Sequence, residues 1–357
     1  MRLESRKSIK NWLIEHDVES FIINEDMSVD VNGVVNLNDL DITSIPIKFG
    51  VVSGDFNICR HKFSNLIGCP EKVGGDFNCF SGKLESLKGG PIEVGGDFNC
   101  SCNELSSLQD CPSKLGGSFF SGTNKLSSLV GLPEIINGSF TCNGNQLVSL
   151  VGCPKKVLGN FDCSKNSLVS LLDSPIEVAN SFFCIRNKLT SLKGCPSSIL
   201  ENFSCNHNEL ASLVGCPTVI GGNFSVRNNK LVNLDYSPIS VGGNFSCAQN
   251  NIKTLLGFET KISKDFICWL NDLTSLEGCQ KIISGNFICS KNKLKNLDFL
   301  PIQVDGFFEC CDNDLGQEEY LEKRFFSEVR LHLDNKLLSE RLNSKLPLKQ
   351  VSVSKKI

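Results

Sequence analysis

A phenylalanine returns every 21 residues through most of this chain without a slip. The series is Phe56, Phe77, Phe98, Phe119, Phe140, Phe161, Phe182, Phe203, Phe224, Phe245, Phe266, Phe287 and Phe308. A fixed period of this length marks stacked coils, each burying its apolar side against its neighbours. The chain is therefore expected to be a solenoid, although 357 residues alone would suggest two compact domains.

One coil, Gly159 to Pro175, shows the pattern. Phe161 and Cys163 alternate with polar Asn160, Asp162 and Ser164, the period of a short half-buried strand. Asn166 follows, in a column shared with Asn103, Asn124, Asn145, Asn187, Asn208, Asn229, Asn250, Asn271, Asn292 and Asn313. An inward amide both donates and accepts, so this column is expected to bond each coil's turn to the next. Leucine fills the next two apolar columns, as at Leu168 and Leu171. Ten of the 12 prolines share one further column, which predicts an extended or turn-like convex side without long helices. Glycine pairs such as Gly74-Gly75 and Gly242-Gly243 then lead back to the strand, where they are expected to serve a tight bend or a positive φ.

Nineteen cysteines would suggest a disulfide scaffold in a secreted chain, but their positions argue for reduced core thiols. Ten lie two residues after a phenylalanine, and six more lie in the column before the proline. Where cysteine is missing, small or apolar residues such as Ser121, Val226, Ser174 and Leu132 replace it, which indicates packing. Stacked neighbours about 4.8 Å apart with parallel side chains are also poorly placed for a disulfide.

The coil phrase F-x-C-x-x-N-x-L-x-x-L-x-G-C-P-x-x-V-G-G-N resembles the leucine-rich repeat, with Phe and Cys in the two strand positions. Its Cys-Pro-x-x-Val segment is similar to the turn of the short repeats in bacterial effectors. The V-G-G-[DN]-F-x-C core is more similar still to leucine-rich-repeat proteins of tailed bacteriophages. The resemblance implies parallel strands on a concave face used for binding. It also implies a setting in the cytoplasm of an infected bacterium.

The expected organisation is an N-terminal cap of helix plus strand or hairpin over 1–32, then a solenoid of about 14 coils over 33–316. A C-terminal helical cap is expected over 317–345 and a flexible tail over 346–357. The first helix is expected at 5–16, with Ile9, Trp12, Leu13 and Ile14 apolar. Self-association through a cap is an alternative to plain capping. The N-terminus has no signal-type apolar run, and no stretch approaches the roughly 18 apolar residues of a membrane span, so a soluble, intracellular chain is expected.

No catalytic constellation, cofactor motif or metal-ligand spacing stands out. Four histidines, His16, His61, His207 and His332, are widely scattered. Cys100-x-Cys102 and Cys310-Cys311 lack zinc-site spacing, and the glycine pairs lack the Lys-[ST] of a phosphate loop. A Cys–His pair built on His207 is conceivable, but its neighbour Cys205 belongs to the packing column. The formal charge of −3 disfavours nucleic acid as a partner.

Function is therefore sought where residues beside the phenylalanines depart from the polar pattern of Asp76, Asn78, Asp97, Asn99, Asn223 and Ser225. Those residues are expected to solvate the sheet. Ile267, Trp269, Leu270, Ile288 and Phe307 are expected to form one apolar patch. Phe183, Ile185 and Arg186, with His207 and Arg227 alongside, form a second cluster, and Phe80 with Phe120 a weaker third. The expectation is a non-enzymatic binding module that takes a host or phage protein on its strand face. A virion structural role and a Cys-dependent enzyme are the alternatives.

Overall fold

The computed structural model describes residues 3–316; the segments at 317–345 and 346–357 lie outside the described residues. Each coil contributes a two-residue strand that starts at its phenylalanine. Thirteen such strands, preceded by β3 (Val35–Asn36), pair in parallel as one 14-stranded sheet that ends at Phe308–Glu309. Phenylalanine pairs with phenylalanine at each step, as in Phe161↔Phe182. The rings are buried, and successive centroids lie 4.9 Å apart for Phe224–Phe245 and 6.1 Å for Phe119–Phe140. Emptying one such position to alanine costs about 3–5 kcal/mol. The opposite side of each coil carries a second short strand at the valine column, such as Lys72–Val73 and Glu93–Val94, and these strands pair in parallel within four shorter sheets. That side is extended and non-helical, as the proline column predicts.

At the N-terminal end, α1 (Arg6–Glu15) is capped by Ser5, whose hydroxyl accepts the Ser8 N–H. Among the described residues it is the one helix. Its Ile9 and Leu13 join the coil core, but Ile14 is exposed, contrary to the sequence expectation. An antiparallel hairpin of β1 (Phe21–Ile23) and β2 (Ser28–Val31) follows, and β2 runs parallel to β4 (Lys48–Val52). The chain thus enters the second sheet directly.

The asparagine column forms a continuous ladder. Asn208 Nδ2 donates to the Cys184 carbonyl of the preceding coil at 3.0 Å. It also donates to the Cys205 and Asn206 carbonyls of its own coil at 3.2 and 3.3 Å. Its Oδ1 accepts the Leu189 N–H at 3.0 Å. The residue just before each amide lies in the left-handed region, including Lys165 at φ 55°, Arg186 at 56° and His207 at 57°. That conformation is uncommon for long side chains, so the amide bonds hold an otherwise unfavourable turn.

The glycine pairs lie in the expected bend, but their φ angles are not positive. A Cβ on Gly75 would instead collide with Asp55 Oδ1, and one on Gly74 with the Ser53 carbonyl of the preceding coil. Positive φ falls on the glycine before the Cys-Pro step, as at Gly152 (85°). Asp110, Asp173, Tyr236 and Phe299 replace that glycine at φ 63–64°. They stand 63 residues apart, which is three coils, so a longer period overlies the 21-residue one.

The polar residues before each phenylalanine do more than solvate the sheet. Asp76 Oδ1 accepts the Asp97 N–H at 2.7 Å, Asp97 Oδ1 accepts that of Ser118, and Asn223 Oδ1 accepts that of Asn244. Asn78 and Asn99 each accept the N–H two residues further on.

Two successive coils break the asparagine rule. His61 takes the amide's place, and the next coil has Gly82, whose Cβ would strike the imidazole. His61 Nδ1 accepts the Phe63 N–H at 3.1 Å, and the ring stacks on Phe63. Burial pushes the imidazole pKa down to about 4, with the Cys79 carbonyl opposing the shift.

Two outcomes follow. Asn208→Asp sets a carboxylate against three carbonyls and is expected to cost about 3 kcal/mol or more at neutral pH, read by urea denaturation. For His61, the folded value lies below the unfolded value of about 6.5, so its contribution is full above that pH. It declines by up to about 1.4 kcal/mol per unit as pH falls from 6.5 toward 4. His61→Asn should therefore flatten this part of the stability profile; parallel profiles would contradict the assignment.

Candidate binding surface

Side chains one residue before, one after and three after each phenylalanine project from the phenylalanine sheet, because strand neighbours alternate between faces. In most coils they are small or polar. The departures are distributed as follows.

Ile267 and Ile288 are register partners on adjacent strands and are half-buried. Trp269 lies two residues beyond Ile267 and is also half-buried. Leu270 occupies the left-handed turn position, φ 55°, and is exposed. Phe307 sits in the column before the phenylalanine, where its N–H donates to Asn286 Oδ1 at 2.9 Å. It is 47% exposed and ends the side-chain ladder, having no oxygen to pass on.

The second cluster begins at Phe183 and Ile185, both half-buried, with exposed Arg186 on the adjoining turn. The Ile185 N–H donates to Ser164 Oγ, tying this coil to the one before. His207 is exposed in the same turn column as Arg186, one coil on. Arg227 follows in the next coil, its N–H donating to Asn206 Oδ1 at 2.7 Å.

Arg227 also links the two clusters. Its guanidinium carbon lies 5.5 Å from the centroid of Trp269, two coils away. The residue between them in the column is Ala248, which is fully buried although it belongs to the outward-facing set. The small side chain leaves room for arginine to reach across. Arg227 Nε is buried without a hydrogen-bond partner, as is Ser246 Oγ on the intervening strand. A cation over an indole contributes about 0.5–2 kcal/mol. Phe80 and Phe120, by contrast, occupy different columns two coils apart.

The thiols are structural hydrogen-bond donors as well as packing groups. Cys79 Sγ donates to the Asn99 carbonyl at 3.2 Å, and Ser121 Oγ makes the equivalent bond to Thr141 at 3.1 Å. In the column before the proline, Cys111 Sγ donates to the Gly131 carbonyl and Ser174 Oγ to the Gly194 carbonyl. Serine thus replaces cysteine by the same bond, a signal present in both columns of the sequence. Burial pushes the Cys111 and Cys279 thiols up to about 12 and raises Cys205's column neighbours Cys184 and Cys163 well above the usual range. Thiolate, the reactive form, is depleted at these sites. Among the described residues no three His, Cys, Asp or Glu side chains are grouped to hold a metal. None of their helices is long and apolar enough to cross a membrane.

Two surfaces were missed by considering the strand face alone. On the far side, Val130, Val151 and Leu172 share one column on three successive coils, beside Val148 and Val169, and all are at least half exposed. Their column holds Lys88, Gln109 and Lys193 in other coils, so the same search for departures would have found them. Near the N-terminal end, a cleft of about 650 Å³ is lined by Ile45, Ile47, Ile67 and Ile92, where Gly90 replaces the usual cysteine.

No protein-family model matches this sequence, and no curated protein matches it. Among solved structures, the chain is similar to the leucine-rich repeat domain of APL1B. That match has a TM-score of 0.51 and 15% identity, covering 83% of this chain and 90% of that one. It is also similar to YopM from Yersinia enterocolitica WA-314, with TM-score 0.46, 18% identity, and 87% and 88% coverage. YopM from Yersinia pestis, a leucine-rich effector, gives TM-score 0.47 and 15% identity, with 80% and 88% coverage. The APL1B likeness shows the leucine-rich-repeat fold and nothing about activity.

Burial predicts the thiol chemistry. Brief iodoacetamide treatment of the native protein at neutral pH should label exposed Cys311 first and leave Cys163, Cys184 and Cys268 unlabelled, read by peptide mass spectrometry. Labelling of the buried column at a rate equal to Cys311 would contradict this.

Proposed function

We propose that this chain is a protein-binding module that engages its partner through the phenylalanine-sheet face, with Trp269 as the anchor. The observation that supports this most is the Arg227–Trp269 contact over buried Ala248. It interrupts a face that most coils build from short polar side chains, and it places an indole and a partly desolvated guanidinium side by side. Tryptophan and arginine are the residues most enriched at binding hot spots, where truncation costs about 2 kcal/mol or more. The flanking Ile267 and Ile288 supply adjoining apolar area.

The finer reading rests on the repeat's resemblance to phage-encoded leucine-rich repeats. On that reading the chain acts in the cytoplasm of an infected bacterium and sequesters or inhibits a host protein, a component of antiviral defence being one candidate.

The test is affinity purification of the tagged full chain from infected cells, in parallel with the double variant Trp269→Ala/Arg227→Ala. One or a few host proteins should co-purify with the original chain and be depleted at least tenfold with the variant. Recovery of no protein, or equal recovery with both, would overturn the proposal.

A further inference from the structure

From the charge on the phenylalanine-sheet face, and resting on the binding role proposed above, we infer that the partner presents an extended acidic segment of about six residues. This segment lies across the strands between the Phe183 and Trp269 coils, with an apolar residue at each end.

The charge distribution sets the chemistry. From the Phe182 coil to the Phe266 coil, three positions per coil matter: one, three and four residues after the phenylalanine. They carry Arg186, His207 and Arg227 and not one acid; the column before the phenylalanine carries one, Asp265, whose Oδ1 accepts the Asn286 N–H at 2.7 Å. Lys165 extends the turn column one coil further. Elsewhere lysines pair with acids one coil away, as Lys125 does with Glu104, Lys155 with Glu134 and Lys230 with Glu209. Among the described residues, neither Lys165, Arg186 nor Arg227 lies within ion-pair distance of a carboxylate. Asp162, the acid nearest in the pattern, is already held by the Asn143 amide and the Ser164 N–H.

Geometry sets the length. Four strand spacings of about 4.8 Å separate the two coils, so their apolar groups stand about 19 Å apart. An extended chain covers that distance in about six residues at roughly 3.3 Å each. The floor between them is low, formed by Ser204, Ser225, Ser246 and Ala248. Just beneath this floor lie two buried polar atoms without a hydrogen-bond partner, Arg227 Nε and Ser246 Oγ, and Ser246 is 7% exposed. A carboxylate between two apolar anchors would meet arginine in charge-assisted bonds, which are shorter and stronger than neutral ones.

The test uses a displayed library of random ten-residue peptides selected against the immobilised full chain at physiological salt. Enriched peptides should carry at least two acidic residues between apolar residues five or six positions apart. Their affinity, read by fluorescence anisotropy, should fall at least tenfold on Arg227→Ala and on Arg186→Glu. The exposed Arg186 keeps the test valid should Arg227→Ala perturb folding. The double reversal Arg186→Glu/Arg227→Glu should favour the same peptides with lysine in place of acid. Enrichment of acid-free peptides that bind through Trp269 but ignore both arginines would overturn this inference while leaving the strand-face role intact. Peptides indifferent to Trp269→Ala and to charge reversal would overturn both. No enrichment, or tighter binding of a fluorescent single-stranded oligonucleotide than of any selected peptide, would also overturn it.

Discussion

The side-chain amide of the asparagine column is the interaction on which the rest of this molecule depends. A solenoid with two-residue strands has little sheet in each coil to hold its turns. The amide supplies what the short strand lacks, bonding carbonyls of its own coil and of the coil before while accepting a backbone N–H, as at Asn208. With those bonds in place, the preceding residue can stay left-handed even when it is arginine, lysine, histidine or leucine. The edge of the strand face, where Lys165, Arg186, His207 and Leu270 stand, is therefore set by an inward residue one position away.

Beside that ladder, each coil is fitted to its neighbour by contacts that repeat at the same spacing. The oxygens before the phenylalanines accept the N–H of the next coil, and the glycine pairs are empty because those oxygens and the adjacent carbonyls need the space. Thiols and hydroxyls share one bond to the following coil. The His61–Gly82 step shows how closely the columns are matched: the larger side chain is accommodated where the next coil has none.

Much of this was legible because identical columns stack, so a residue's environment can be inferred from its column. The phenylalanine sheet, the asparagine ladder and the non-helical far side followed in that way. What escaped was information held between columns. Nothing in the Gly75 column alone reveals that Asp55 fills the space beside it. The reach of Arg227 to Trp269 joins residues 42 apart in sequence and depends on Ala248 between them. Ile14 was misjudged because a short helix was given too wide an apolar face. The apolar run Val130, Val151 and Leu172 stands away from the phenylalanines, in a column that holds Lys88, Gln109 and Lys193 in other coils.

The division of labour is then physical: columns that bond coil to coil hold the fold, and positions free of that duty are open to variation in side chain. The central element of this account is the amide ladder, and side-chain hydrogen exchange followed by NMR tests it most directly. The Nδ2 protons of interior members such as Asn124, Asn187 and Asn208 are predicted to exchange as slowly as the core backbone amides of Leu105, Leu168 and Leu189 that bond to their Oδ1 atoms. Exchange at the rate of a solvent-exposed amide, in a protein whose backbone remains protected, would contradict it.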